Sequence, residues 1–240
     1  MAANRARGQR AGLSRQDVLG AALKLVDREG LNALSMRRLG AELGVEAMTL
    51  YHHVPNKTAL LDGMIEQVVA EAIPPDFGAA TWRQDLSAYA HALAAALAAH
   101  PHTVPLLLSR PAATPRNLST LDAVVGMLHE AGFPLPRTLD VLYSLTGFVV
   151  GHAAAQAGRV DDAGIMTALD EDAYPRLVAA ARAAGDDRAD SRFTFALNAL
   201  LSGFEAELAT GPGEGRSRAG SGAGAGAGRV RAQSRTRQKG

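Results

Sequence analysis

The chain has 240 residues, 47% of them hydrophobic, no cysteine, and a formal net charge of +1. That is enough apolar material for a sizeable core in one or two domains, and it excludes a natively unfolded protein. Without a thiol, the chain can have no disulfide, thiol nucleophile or cysteine-ligated zinc, and a reducing cytoplasm suits it. The start, MAANRARGQR, is basic but lacks the apolar run of a signal peptide, and no stretch approaches the roughly 20 apolar residues of a membrane span. A soluble, cytoplasmic protein is expected. The near-neutral total hides a segregation: residues 1–60 carry nine Lys/Arg against five Asp/Glu, residues 61–211 nine against eighteen, and residues 212–240 seven against one. Counterion release favours basic segments on DNA, whereas the acidic middle would be repelled from it.

In chain order, residues 1–13 read as a flexible basic arm. Ser14, with Asp17 three places later, is a capping-box start for a helix to about Glu29 with Val18, Ala22, Leu25 and Val26 on its core face. Gly30 ends it. Ser35 caps a second helix with Met36, Leu39 and Leu43 on one face, and Gly44 is the residue able to take the left-handed turn after it. At Gly40 a larger side chain would hold two helices apart, and Val45 and Leu50 supply contacts beyond the turn. The next helix, about Glu46 to His53, leaves Ala47, Met48, Thr49, Tyr51 and His52 facing outward. This is the pattern of a helix-turn-helix DNA reader.

Asn56 caps a fourth helix carrying Leu60, Leu61, Met64, Ile65, Val68 and Val69 to Ile73, before Pro74 and Pro75; it links the head (14–62) to the rest. Further helices are predicted at Trp82 to His100, Val104 to Leu108, Leu118 to Ala131, Arg137 to Ala157, Ala173 to Ala184 and Ser191 to Leu208. No period-2 run competes, so the fold class is all-α. From Gly211 onward the Gly/Ala/Arg-rich tail cannot bury enough apolar surface to fold. Its glycine repeat follows no strand and opens no helix, so it is not a phosphate loop.

The run L-G-x-x-L-G-V-x-x-x-T-L-Y-x-H-V-x-N-K-x-x-L-L-D, from Leu39 to Asp62, resembles the DNA-binding end of the TetR family of bacterial repressors, in the branch nearest the tetracycline repressors. The resemblance implies an N-terminal three-helix DNA-binding domain and a C-terminal α-helical domain, residues 74–210, for ligand binding and dimerisation. It puts Ala47, Met48 and Thr49 at base-facing positions of the recognition helix and Tyr51, His52 and Lys57 on phosphate. Arg37, with Arg38 beside it, matches a position that can read guanine. Tetracycline repressors carry Gln and Pro where this chain has Ala47 and Met48, which favour apolar contact and imply a different operator. His52 and His53 project about 100° apart on a helix, so they do not share a metal ion.

The resemblance also places a sensor in the middle domain. Candidate pocket residues are Tyr89, His91, His100, His102, Arg110, Met127, Phe148 and His152. Where tetracycline repressors hold magnesium with His and Glu, this chain aligns Leu106 and Ala155, and Ile73 replaces a drug-contacting His. A more apolar effector, with no metal or other cofactor, is expected. Reading a symmetric operator implies a homodimer. Two helices could build it: Arg137 to Ala157, with Leu139, Leu142, Tyr143, Thr146, Val150 and the small pair Gly147 and Gly151, and Ser191 to Leu208, with Phe193, Leu197, Leu200, Leu201, Phe204 and Leu208. The same residues could instead fill the protomer's own core. The expected activity is operator binding released by a small molecule through a population shift. A non-specific or architectural DNA binder is the alternative. An enzyme is not expected: G-x-S-x-G and H-E-x-x-H are absent.

Overall fold

The computed structural model describes residues 12–73, 77–78, 80–110, 113–157, 169–183 and 188–210. The tail, and the arm apart from Gly12 and Leu13, lie outside them. Polar side chains start the helices where the spacing predicts. Helix α1 (Arg15–Glu29) opens with a full capping box: the Asp17 N–H donates to Ser14 Oγ at 3.1 Å and the Ser14 N–H to Asp17 Oδ2 at 2.9 Å. Ser35 caps α2 (Met36–Leu43) through the Arg38 N–H, and Asn56 caps α4 (Lys57–Glu71) through the Ala59 N–H. Between them lies α3 (Ala47–Tyr51), shorter than predicted. The N–H groups of His53 and Val54 both turn onto the Leu50 carbonyl, which carries Val54 into the head core and ends the helix.

The remaining helices among the described residues are α5 (Trp82–Ala99), α6 (Val104–Ser109), α7 (Pro115–Glu130), α8 (Leu135–Ala157), α9 (Pro175–Ala183) and α10 (Arg188–Thr210). No strand occurs among the described residues, so the all-α class holds. Three starts fall earlier than predicted, among them that of α10, at Arg188 rather than Ser191. Helix α7 begins at Pro115, not Leu118, because Thr114 caps it and proline at the first helical position gives up only an N–H that has no helical partner. Helix α8 likewise accommodates Pro136 in its first turn.

One continuous apolar cluster runs through the molecule. In the head, Val18, Leu25, Leu39 and Leu50 close around α4 residues Leu60 and Met64, and further along α4, Val68 and Ala72 join Leu86, Leu93 and Leu97 of α5. Helix α5 packs chiefly on α8, which also meets α6, α7 and α10. Helix α1 crosses α4 closely: a β-carbon on Gly63 would stand 2.6 Å from a Leu19 methyl. Arg15 reaches across to the buried Glu66 at 3.2 Å.

The two dimer-helix candidates divide between core and surface. On α10, Phe193, Leu197 and Leu201 are buried in the protomer, and Leu200, Phe204 and Leu208 pack partly against its core. On α8, Leu142 and Val150 turn inward, while Leu139 and Tyr143 stay in solvent, Tyr143 at 75% exposure. Gly147 and Gly151 continue that outer row with open space beyond them, and Phe195 on α10 is 77% exposed. Among the described residues no single helix is long and apolar enough to cross a membrane.

Candidate nucleic-acid interface and effector core

The turn between α2 and α3 is built on two glycines. Gly44 sits at φ 66° and ψ 28°, the left-handed region that glycine enters without steric penalty. At Gly40 a β-carbon would lie 2.8 Å from the Val45 carbonyl oxygen and 3.2 Å from the Ala47 nitrogen. The start of α3 therefore rests directly on the α2 backbone, and Leu50 locks the contact from below.

This close seating corrects the expectation that every polar-face residue of α3 points outward. Ala47 is half-buried and packs on the head core, and Thr49 is half-buried. Met48 is the most exposed large apolar residue of the head at 69%, with Tyr51 and His52 exposed on the same short helix and its cap. The two arginines of α2 differ. Arg37 is exposed and makes no ion pair or side-chain hydrogen bond among the described residues. Arg38 donates to Glu29 at 2.8 Å, and the network continues through Arg28 to Glu42 at 3.1 Å. The Arg38 hydrogen bond, followed by that of Arg28, holds the Glu29 carboxyl below its ordinary range. Lys57 is exposed, and its ammonium donates to the Leu34 carbonyl at 2.8 Å, which ties the start of α4 to the loop before α2.

The residues expected in one sensor pocket fall into separate places. Phe148 and His152 of α8 meet Phe193 of α10 at ring-centroid distances of 5.2 and 5.0 Å, and His91 of α5 meets the same ring edge-on at 5.2 Å. Gln156 lies 3.2 Å from the His152 ring nitrogen. Tyr89 belongs to another flank of α5, where it shares a hydrogen bond with Thr146 of α8 and lies edge-on to Phe77 at 6.5 Å. Burial pushes the Tyr89 phenol up to about 12, opposed by the Thr146 hydrogen bond. Met127 packs partly on the core from α7.

Three of the candidates sit at the junction of head and middle domain. Arg110, after α6, donates to Asp62 of α4 at 2.9 Å. His100, at the end of α5, pairs with Asp27 of α1 at 2.8 Å and lies 3.6 Å from Glu71 of α4. His102 is exposed in a cleft of about 580 Å³ between Glu29 to Asn32 of the head and Pro101 to Pro105. A smaller cleft of about 310 Å³ is lined by Asp62, Ser109, Arg110, Ala113 and Thr114. Leu106 is buried in the middle domain, and Ala155 is exposed. Among the described residues no three His, Asp or Glu side chains converge to hold a metal ion. One buried acid is unmarked among the expected site residues: Asp85, on α5 one turn before Tyr89. Its signal is the i, i+4 spacing to Tyr89, which places both on one helix flank.

Comparison with known proteins agrees with this geometry. A family model described as bacterial regulatory proteins, tetR family, matches residues 18–64, and one for the tetracyclin repressor-like C-terminal domain matches residues 74–208. The chain belongs to the tetR family. The class E tetracycline repressor of Escherichia coli is 30% identical over 204 residues, 82% of this chain and 92% of that one. The HTH-type transcriptional repressor DrrR1 of Streptomyces coeruleorubidus is 36% identical over 151 residues, 62% of this chain but only 56% of the length of DrrR1. Among solved structures, apo ActR from Streptomyces coelicolor has a TM-score of 0.71 at 26% identity, covering 83% of this chain and 98% of ActR. ActR in complex with actinorhodin has a TM-score of 0.67 at 26% identity, covering 85% and 99%. As a tetR-family member, this chain is a ligand-responsive, DNA-binding transcriptional repressor.

Proposed function

We propose that the repressor acts in the cytoplasm as a homodimer that reads a two-fold operator through α3 and Arg37, and that a metal-free, largely aromatic small molecule entering the α5, α8 and α10 region releases it. The observation that carries this reading is the contrast on α2. Arg38 is occupied by Glu29, whereas Arg37 is exposed with no ion pair or side-chain hydrogen bond among the described residues, and Met48, Tyr51 and His52 are exposed on the adjoining α3 and its cap. An unpaired guanidinium next to an exposed helix is what bidentate guanine contact in the major groove requires. Met48 adds an apolar surface suited to a thymine methyl.

The solvent-facing row of Leu139, Tyr143, Gly147 and Gly151 on α8, and the exposed Phe195 on α10, support the dimer. Small residues let a partner helix approach closely, and the flanking rings supply apolar area. The His91, Phe148, His152 and Phe193 rings support an aromatic effector, as does the likeness to ActR, a protein solved with actinorhodin. Leu106, Ala155 and Ile73 offer no metal-ligating set. Release then needs an effector that binds the DNA-incompetent arrangement more tightly than the competent one.

The test is a titration of the full-length protein on its own upstream DNA, with a scrambled duplex of equal length as control. Specific binders discriminate by about 10³-fold or more. Saturable binding of a dimer to the native duplex, weakened by Arg37→Ala, supports the reading. Equal affinity for both duplexes in wild type and variant refutes it.

A further inference from the structure

We infer that the flank of α5 bearing Asp85 and Tyr89 is a cation subsite, and that the effector carries an ammonium group on its apolar body. This rests on the reading of the middle domain as the effector-binding part.

Few polar residues are buried among the described ones, and most of them have partners. Glu66 is met by Arg15. The hydroxyls of Thr103 and Thr138 donate to the carbonyls of His100 and Leu135, both at 2.7 Å. Asp27 and Gln67 each leave one oxygen unpaired but engage their other polar atom, with His100 and Glu71 respectively. Asn117, 4% exposed, leaves its Nδ2 unpaired but carries no charge. Asp85 does carry one: it is 5% exposed, its Oδ2 is sealed from solvent, and its carboxylate has no hydrogen bond or ion pair among the described residues.

A buried carboxylate without a counter-charge is among the most unfavourable groups a core can hold. Its place in the first turn of α5 gives only the partial charge of the helix start. The Thr81 and Gln84 capping box is already closed on itself, and the Asp85 N–H is used by the Thr81 carbonyl. The local backbone therefore leaves the carboxylate uncompensated. One turn on, Tyr89 presents a ring and a phenol on the same flank, beside Thr146 and Phe77. A carboxylate one helical turn from an aromatic ring is a composition suited to an alkyl- or arylalkyl-ammonium: the charge would pair with Asp85 and the adjoining carbon body would pack on the Tyr89 ring. An anionic ligand would be repelled there, and a neutral one would leave the charge unpaired.

The experiment uses full-length protein and three probes on one aromatic body: 9-(aminomethyl)anthracene, 9-anthracenemethanol and anthracene-9-carboxylic acid. Affinities come from anthracene fluorescence and from the thermal midpoint. The expected result is that the amine binds at least about tenfold more tightly than the alcohol, with the acid weakest, as for a charge-assisted hydrogen bond. In Asp85→Asn, which keeps the side-chain volume, the amine and alcohol should agree within about twofold. Equal affinities in the wild type, or an amine preference that survives in the variant, overturn the subsite. Because the wild-type comparison stands alone, it decides even if the variant misfolds. Operator binding separates the two readings. Amine binding that depends on Asp85 but leaves operator affinity unchanged refutes effector-driven release and keeps the subsite. Release by amine and alcohol alike, in both proteins, keeps the release and refutes the subsite.

Discussion

Replacing Gly40 by alanine probes the seating of the recognition helix. The new β-carbon would stand 2.8 Å from the Val45 carbonyl oxygen and 3.2 Å from the Ala47 nitrogen, both backbone atoms that cannot rotate away. Ordinary van der Waals contact begins near 3.4 Å, so α3 must rise from α2 by roughly 0.6 Å. Overpacking of this kind costs about 1–3 kcal/mol. For a chain of this size each kcal/mol lowers the melting midpoint by about 2–4 °C, so the expected drop is about 2–12 °C at fixed protomer concentration. Operator affinity should fall further than stability alone explains, because the displaced helix carries Met48 and Tyr51 toward or away from the groove. Calorimetry and operator titration of Gly40→Ala, beside Gly20→Ala as a control with no atom closer than 4.0 Å, give the answer. A Gly40→Ala protein that melts and binds operator like wild type would refute the argument.

Four further outcomes follow from particular contacts. Arg37→Ala should lose roughly 1–3 kcal/mol of operator discrimination, whereas Arg38→Ala, whose guanidinium is held by Glu29, should lose less; paired titrations on one duplex compare them. Arg15→Ala strands the buried Glu66 and should destabilise the fold by about 1–3 kcal/mol in denaturant unfolding, with Arg15→Lys recovering part of it. Tyr143→Glu puts a charge in the outer row of α8; sedimentation should find the wild type as the proposed dimer and the variant as monomer. The folded-state phenol of Tyr89 is raised from 10.0 to about 12, so its stabilising contribution is whole below pH 10 and is lost as pH rises towards 12; melts across that range should decline less in Tyr89→Phe.

How much of this was legible in the sequence depends on the reach of each interaction. The caps at Ser14, Ser35 and Asn56 and the turn at Gly44 involve residues three or four apart, and all four stand where the pattern puts them. The start of α7 at Pro115, ahead of the expected Leu118, was hidden because a proline that breaks a helix interior is equally suited to open one. The candidate sensor residues could not be sorted by periodicity. Tyr89 and His91 are two residues apart, hence on different sides of α5, and only the crossing of α5 with α8 and α10 shows which ring each one meets. The same holds for α10, whose Phe193, Leu197 and Leu201 would suit a dimer seam as well as the protomer core that holds them. Asp85 passed unnoticed because an acid in a first helical turn reads as ordinary charge complementarity until its burial is known.

Helix α4 gives Leu60 and Met64 to one half of the molecule and, with its cap Ala72, Val68 to the other. Its 15 residues span about 22 Å at 1.5 Å per residue. Pivoted at its far end, such a rod tilted by about 5° swings its near end by about 2 Å, and the two-fold symmetry of the proposed dimer would double the change in separation between its heads. Neither half has a private hinge in this rod. In the proposed dimer, a small adjustment among the rings of the middle domain would thus be converted, by geometry alone, into a misfit against the fixed repeat of the double helix.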